Sequence, residues 1–331
     1  MYVSKRKVSA FLLLLLSPCI AELLSSSSPP LEFFQPLTFL LLISFYGTGA
    51  LLVREAWVRW GRSPLTLLLL DAAYGIFEEG LIVKSFFSTT WPDLGVLAWY
   101  GRWLGVNWVW AVMLTLYHSV FSISIPIILS ELLFPEIRRE PWFSPRGLKV
   151  SAVVFALVSL IFFVFFRYRV PVVHLLASLF SVLFLIVYSR KLTWIKPLGF
   201  KHPPSAVKLA IIGSLWSTIL IIWPYLSANL RIPALLCVAL QLAAFALFFR
   251  WVLQFNWHSE LKVYEIVTSP LWMLVLLAFL AEFDTTRTDN PAGMSLVALT
   301  AAILIVMGRW KLMGRVQAAE RKYYQRLQLP R

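Results

Sequence analysis

The feature that most constrains this chain is a succession of ten apolar runs, most of them close to bilayer-spanning length. They cover 8–24, 37–53, 63–86, 107–133, 150–166, 170–188, 206–226, 234–252, 269–283 and 294–313. A bilayer core takes about 20 apolar residues per helix. Composition agrees: 60% of the 331 residues are apolar and 14% charged. A soluble domain has about 45–50% and 25%. A soluble enzyme, a disordered chain and a disulfide scaffold are excluded. The two cysteines, Cys19 and Cys237, lie far apart in apolar runs and suggest no thiolate metal site. The expected fold is all-α, a single polytopic transmembrane bundle over 1–331 with about ten helices. Lys5–Lys7, a leucine run and Cys19-Ile20-Ala21 also have the look of a signal peptide, and its cleavage would leave nine.

The formal charge of +14 is read as topology. With the N-terminus in the cytoplasm, the alternation of ten spans puts 24 of the 30 Lys and Arg residues on the cytoplasmic side and five outside. Such an imbalance is the positive-inside pattern, and it predicts a cell-membrane protein with both termini cytoplasmic. No nucleic-acid partner is implied; the expected partner is the lipid bilayer. Arg167-Tyr168-Arg169 alone separates the fifth and sixth runs, which requires a tight hairpin or a re-entrant pair. The basic join 189–205 divides polar-site helices (63–188) from apolar C-terminal helices (206–313). A basic tail, 314–331 with Tyr323 and Tyr324, is expected to extend the last helix along the inner surface. The aromatic loop 87–106 reads either as an interfacial belt or as a lid.

Ionisable groups inside a membrane cost roughly 2.5–3.5 kcal/mol or more each and usually face the bundle interior. The third span carries Asp71, Glu78, Glu79 and Lys84. Helical geometry brings Asp71 and Glu78 within about 20° of each other. Tyr74, Gly75 and Glu79 complete one polar stripe, and Lys84 points away, free to snorkel to the outer interface. Asn107, His118 and Ser122 share a face of the fourth span. His174 and Ser178 do so on the sixth. Two carboxylates and two imidazoles can activate a water: a desolvated Glu serves as general base and a His steadies the oxyanion or shuttles the proton. The bland alternative is a set of buried polar struts tying helices together.

A Glu-Glu pair on one helix, a His on the next, and a second His after one intervening helix resembles the CAAX prenyl endopeptidase and bacteriocin-processing family of intramembrane proteases. Its motifs run Glu-Glu-x-x-x-Arg, Phe-x-x-x-His and His-x-x-x-Asn/Asp. They fall here on Glu78-Glu79, on His118, and on His174 with Ser178, over 63–188. This chain has Lys84 one position late in place of Arg, Leu114 in place of Phe, and Ser178 in place of Asn or Asp. The stretch 70–134 is also similar to unnamed prokaryotic multi-spanning proteins. The protease resemblance implies a glutamate base at Glu78 or Glu79, assisted by His118 and His174, with no cofactor. Asp71, Tyr74, Lys84, Asn107, Ser122 and Ser178 are supporting candidates. Three functions fit these residues: a hydrolase acting on a membrane peptide or small solute, a proton- or cation-coupled transporter, and a non-catalytic scaffold. The spacing selects neither a metal nor an oligomeric state.

Overall fold

The computed structural model describes residues 4–192 and 199–327, with side chains described as far as residue 318. Ten long helices occupy the described residues. α1 is Lys5–Pro18 continuing into a π-helical turn, Cys19–Leu23. α2 is Pro36–Arg59, α3 is Pro64–Ile76 continuing as Phe77–Ile82, and α4 is Trp108–Leu133. α5 is Pro145–Phe165, α6 Val172–Lys191, α7 Ala206–Asn229 and α8 Ala234–Leu253. α9 is Glu260–Ala281 and α10 Met294–Leu327. Eight of the ten are long and apolar enough to cross a membrane. The other two, α1 and α3, carry more charge, and α3 carries the polar site.

Local signals explain the starts. Proline occupies the first helical position of α2, α3 and α5, where its missing N–H costs nothing. Asn107, Ser144 and Ser205 cap α4, α5 and α7 by accepting backbone N–H groups. The ninth span begins nine residues earlier than the expected 269. Its first turns hold Glu260, Lys262 and Glu265, which interrupt the apolar pattern. Tertiary pairing makes them tolerable: Glu265 is held by Lys262 at 2.8 Å and by Arg309 of α10 at 3.1 Å.

The third span, expected over 63–86, ends its helix at Ile82. Lys84 adopts a left-handed conformation, φ +65°, which turns the chain out of the helix. Lys84 is 4% exposed and does not snorkel. Its ammonium donates to the carbonyls of Phe163 (2.9 Å) and Phe166 (2.6 Å) and lies over the Phe163 ring. It therefore caps the C-terminus of α5, where carbonyls lack intrahelical partners and a cation is favoured. α5 and α6 are separate long helices joined by 166–171.

Contacts establish which helix ends lie together. Lys5 and Arg6 pair with Glu136 and Glu140 beyond the end of α4. Arg54 near the end of α2 and Arg62 before α3 both reach Glu131 in α4. Arg315 of α10 donates to the carbonyl of Leu132. The N-terminal stretch and the 315 region thus share one arginine-rich end. At the opposite end, Arg287, between α9 and α10, donates to the carbonyl of Ser26. From residue 319 onward the side chains of the expected tail, Tyr323 and Tyr324 among them, lie outside the described residues, as does Lys196 in the 189–205 join.

α4 is the most enclosed span, with 61% of its apolar window buried, against 11% for α8 and 17% for α5 and α6. α2 and α9 follow at 50%, and the least enclosed helices turn leucine and phenylalanine faces outward. One apolar core joins α1, α2, α3 and α5; a second joins α4, α7, α9 and α10. The 83–107 loop is fastened by Arg102, which donates to the carbonyls of Phe87, Ser88 and Ala98. Trp99 and Trp103 on that loop are exposed.

Candidate functional site

Four π-helical turns meet in the half of the bundle away from the arginine-rich end. They are Cys19–Leu23 in α1, Ile43–Gly47 in α2, Phe77–Ile82 in α3 and His118–Ser124 in α4. A π turn inserts one residue, rotates the side chains that follow, and is frequent at functional sites. Each turn here supplies the site: Glu22, Tyr46, Glu78 with Glu79, and His118 with Ser122. The carbonyls loosened by this geometry find new donors. Ser17 Oγ lies 2.6 Å from the Ser122 carbonyl and 3.2 Å from that of Tyr46.

Close approach makes the convergence possible. A Cβ on Gly47 would stand 2.6 Å from the Leu14 carbonyl oxygen and 2.7 Å from Leu14 Cα, so α2 touches the α1 backbone there. A Cβ on Gly75 would stand 3.2 Å from His118 Cβ and from Thr115 Cα, which sets α3 against α4 at the height of the imidazole.

The network is continuous. Ser28 donates to Glu22 Oε2 at 3.0 Å. The Tyr46 hydroxyl bridges Glu22 Oε1 and Glu78 Oε1. His118 sits between the glutamates of α3: Nδ1 is 3.2 Å from Glu78 Oε2, and Nε2 is 2.9 Å from Glu79 Oε1. Nδ1 also lies 2.9 Å from Ser122 Oγ. Ser85 donates to Glu79 Oε2 and receives the Trp110 indole N–H at 3.0 Å. Glu78, Glu79 and His118 are 2%, 6% and 3% exposed. Glu22 is half-buried, so the chain of groups reaches outward at that point. Among the described residues, no Lys or Arg forms an ion pair with Glu22, Glu78 or Glu79. Glu78, Glu79 and His118 each offer a ligand atom within 4.8 Å of the others.

Of the expected catalytic residues, the structure brings Glu78, Glu79 and His118 together and leaves His174 out. His174 Nε2 lies 2.7 Å from the carbonyl of Leu104, its ring packs edge-on against Phe87, and its Nδ1 has no partner. The cause is geometric: α6 crosses α3 at Ser178, which lies where a Cβ on Gly80 would be 2.9 Å from its Oγ. His174 is one turn beyond that contact, level with Leu104 and Gly105 of the 83–107 loop. Asn107 is also elsewhere, capping α4 and donating to the carbonyl of Leu97. Asp71 faces Ser124, which donates to Oδ2, while Oδ1 is unpartnered. The Tyr74 ring packs near the imidazole and its hydroxyl has no partner. Ser122 belongs to the site, whereas Lys84 caps α5.

Sequence reasoning missed Glu22, Tyr46, Ser28, Ser85 and Trp110. Glu22 carried a signal, being a carboxylate inside the first apolar run. Tyr46 carried none beyond a hydroxyl in a span. The site also reaches beyond the 63–188 helices into α1 and α2.

A cleft of about 300 Å³ opens between α4, α6 and α8, lined by Ile76, Thr115, His174, Ser178, Ser181 and apolar residues but not by Glu78, Glu79 or His118. A second buried cluster lies at the arginine-rich end. Arg54 is fully buried, binds Glu55 at 2.9 Å and Glu131 at 3.2 Å, and stacks on Trp142 at 3.6 Å. Arg62 takes the other oxygen of Glu131 at 2.6 Å, and Arg59 takes Glu55 Oε2 at 3.1 Å.

No curated protein and no solved structure matches the chain. A family model does match over residues 11–268, from α1 through the first part of α9, and so includes every residue of the Glu/His network. With well over half its length covered, the chain belongs to the family described as an uncharacterized membrane protein family.

Proposed function

We propose that this protein is a membrane-embedded hydrolase in which Glu79, oriented by His118, activates water. The observation that carries this reading is His118 clasped between Glu78 and Glu79 in a buried site where no lysine or arginine neutralises the carboxylates. A carboxylate strut is ordinarily matched by a cation, as at Arg54. Glu79 is the base because its partners are fixed: Nε2 on one oxygen, Ser85 backed by Trp110 on the other. Positioned imidazole and carboxylate are the requirements for moving a proton off water. Glu78, Tyr46 and half-buried Glu22 then form the route by which that proton leaves. If the positive-inside orientation holds, that route opens to the outside, and both termini are cytoplasmic.

The expected family of intramembrane proteases supplies the nearest chemistry, but His174 does not serve as its second histidine. The cleft bounded by Ser178 supports entry of an apolar, membrane-resident substrate such as a peptide helix. The test is a comparison of membrane-protein N-termini, by mass spectrometry, in cells expressing the wild type or Glu79→Gln. New termini should depend on Glu79. Identical sets of termini would end the hydrolase reading.

A further inference from the structure

We infer that Glu78, Glu79 and His118 bind one divalent transition-metal cation of the zinc class. The inference rests on reading this cluster as a working site, but not on hydrolysis.

Three observations lead there. The first is a shortage of donors. Glu22, Glu78 and Glu79 present three carboxylates to three hydroxyls, those of Ser28, Tyr46 and Ser85, and to one imidazole. The Tyr46 hydroxyl has one hydrogen and stands between two carboxylates, so it satisfies one of them. Buried acceptors without donors are costly, and buried charge without a counter-ion more so.

The second concerns the two faces of the imidazole. If Nε2–H donates to Glu79, Nδ1 carries a lone pair. That lone pair takes the Ser122 hydroxyl at 2.9 Å, so Glu78 Oε2, 3.2 Å from Nδ1 and buried, is left with no hydrogen-bond partner. A cation between Nδ1 and Oε2 would displace that hydroxyl and give Oε2 the partner it lacks. Tetrahedral zinc, with bonds of about 2.0–2.1 Å to nitrogen and oxygen, sets neighbouring ligand atoms about 3.3 Å apart. The Nδ1–Oε2 separation matches one edge of that tetrahedron.

The third is the ligand set. Glu79 lies in the same 4.8 Å group and is close enough to add a third ligand, leaving a fourth position for water. One imidazole nitrogen with carboxylate oxygens suits zinc, or cobalt(II) as its spectroscopic substitute, and disfavours magnesium, which prefers oxygen and water. Half-buried Glu22, linked through Tyr46, gives the cation a way in. His174 takes no part.

The test uses the full-length protein purified in detergent, stripped with a chelator and titrated with zinc chloride, then with cobalt chloride. The expected result is one saturable equivalent per chain and the intense visible bands of four-coordinate cobalt. Glu78→Gln, Glu79→Gln and His118→Ala should each weaken binding at least tenfold. His174→Ala should bind as the wild type does, with size-exclusion profiles confirming that all variants remain folded. Absence of a saturable equivalent in the wild type, or equal affinity across the folded cluster variants, overturns the proposal. Metal binding without any change in cellular N-termini would instead refute hydrolysis and leave the cation site standing.

Discussion

Tyr46→Phe deletes one oxygen and tests the network at its joint. The Tyr46 hydroxyl lies between Glu22 Oε1 and Glu78 Oε1. The loss differs at the two ends. Glu22 keeps Ser28 at 3.0 Å and is half-buried, so water replaces the phenol there. Glu78 is 2% exposed, and its other oxygen has no hydrogen-bond partner. The substitution therefore strips a buried carboxylate of its one hydrogen bond. Bonds to charged groups contribute roughly 1.5–3 kcal/mol. We expect a loss of about 2–3 kcal/mol, a change of roughly 30- to 150-fold in the folding equilibrium. Reversible unfolding in mixed micelles measures it. A double-mutant cycle with Glu78→Gln gives the cause, because the Tyr46→Phe loss should shrink by at least about 1 kcal/mol once Glu78 is neutral. A single-mutant effect below about 0.5 kcal/mol, or strict additivity in the cycle, would refute the reasoning.

Further predictions follow from particular contacts. Gly47→Ala drives a methyl group against the Leu14 backbone and should cost about 1–3 kcal/mol, read by the same unfolding assay. Lys84→Met removes the ammonium from the carbonyls of Phe163 and Phe166 while keeping the left-handed backbone; a loss of about 3 kcal/mol is expected, with faster amide exchange in the last turn of α5. Glu282, just past the end of α9, accepts the backbone N–H groups of Ser295 (2.6 Å) and Gly293 (3.2 Å), and these bonds hold its carboxyl below the ordinary range. A depressed carboxyl stabilises the fold above its unfolded pKa and loses that contribution as pH falls through the folded value. Thermal unfolding should therefore separate Glu282→Gln from the wild type at neutral pH, and the gap should close as pH drops below about 4.

Much of the architecture was legible in the chain. The ten apolar runs correspond to the ten long helices of the described residues because a backbone in lipid must satisfy its own hydrogen bonds, so an apolar run of that length folds as a helix. The exceptions came from pairing. α9 starts early because Glu265 meets Lys262 and Arg309, and no local pattern reports on α10. The third helix ends at Ile82 because Lys84 finds the end of α5, some 80 residues away in sequence.

The site divides in the same way. The scarcity of charge by itself picked out Glu78, Glu79 and His118, since an ionisable group in a span must be compensated or used. Which groups would meet was decided only by tertiary structure. The expected faces held Tyr74, Gly75, Glu78 and Glu79 on α3 and His118 with Ser122 on α4, but a face drawn on one helix names no partner on another, and the π turns of α1 and α2 supplied Glu22 and Tyr46. Tyr46 and Glu22 entered because Gly47 lets α2 reach the backbone of α1. His174, at helical spacing from Ser178, remained outside because α6 crosses α3 one turn too early. Sequence determines what a helix in lipid can carry; the crossing points of helices, fixed by small residues and local winding, determine what its side chains touch.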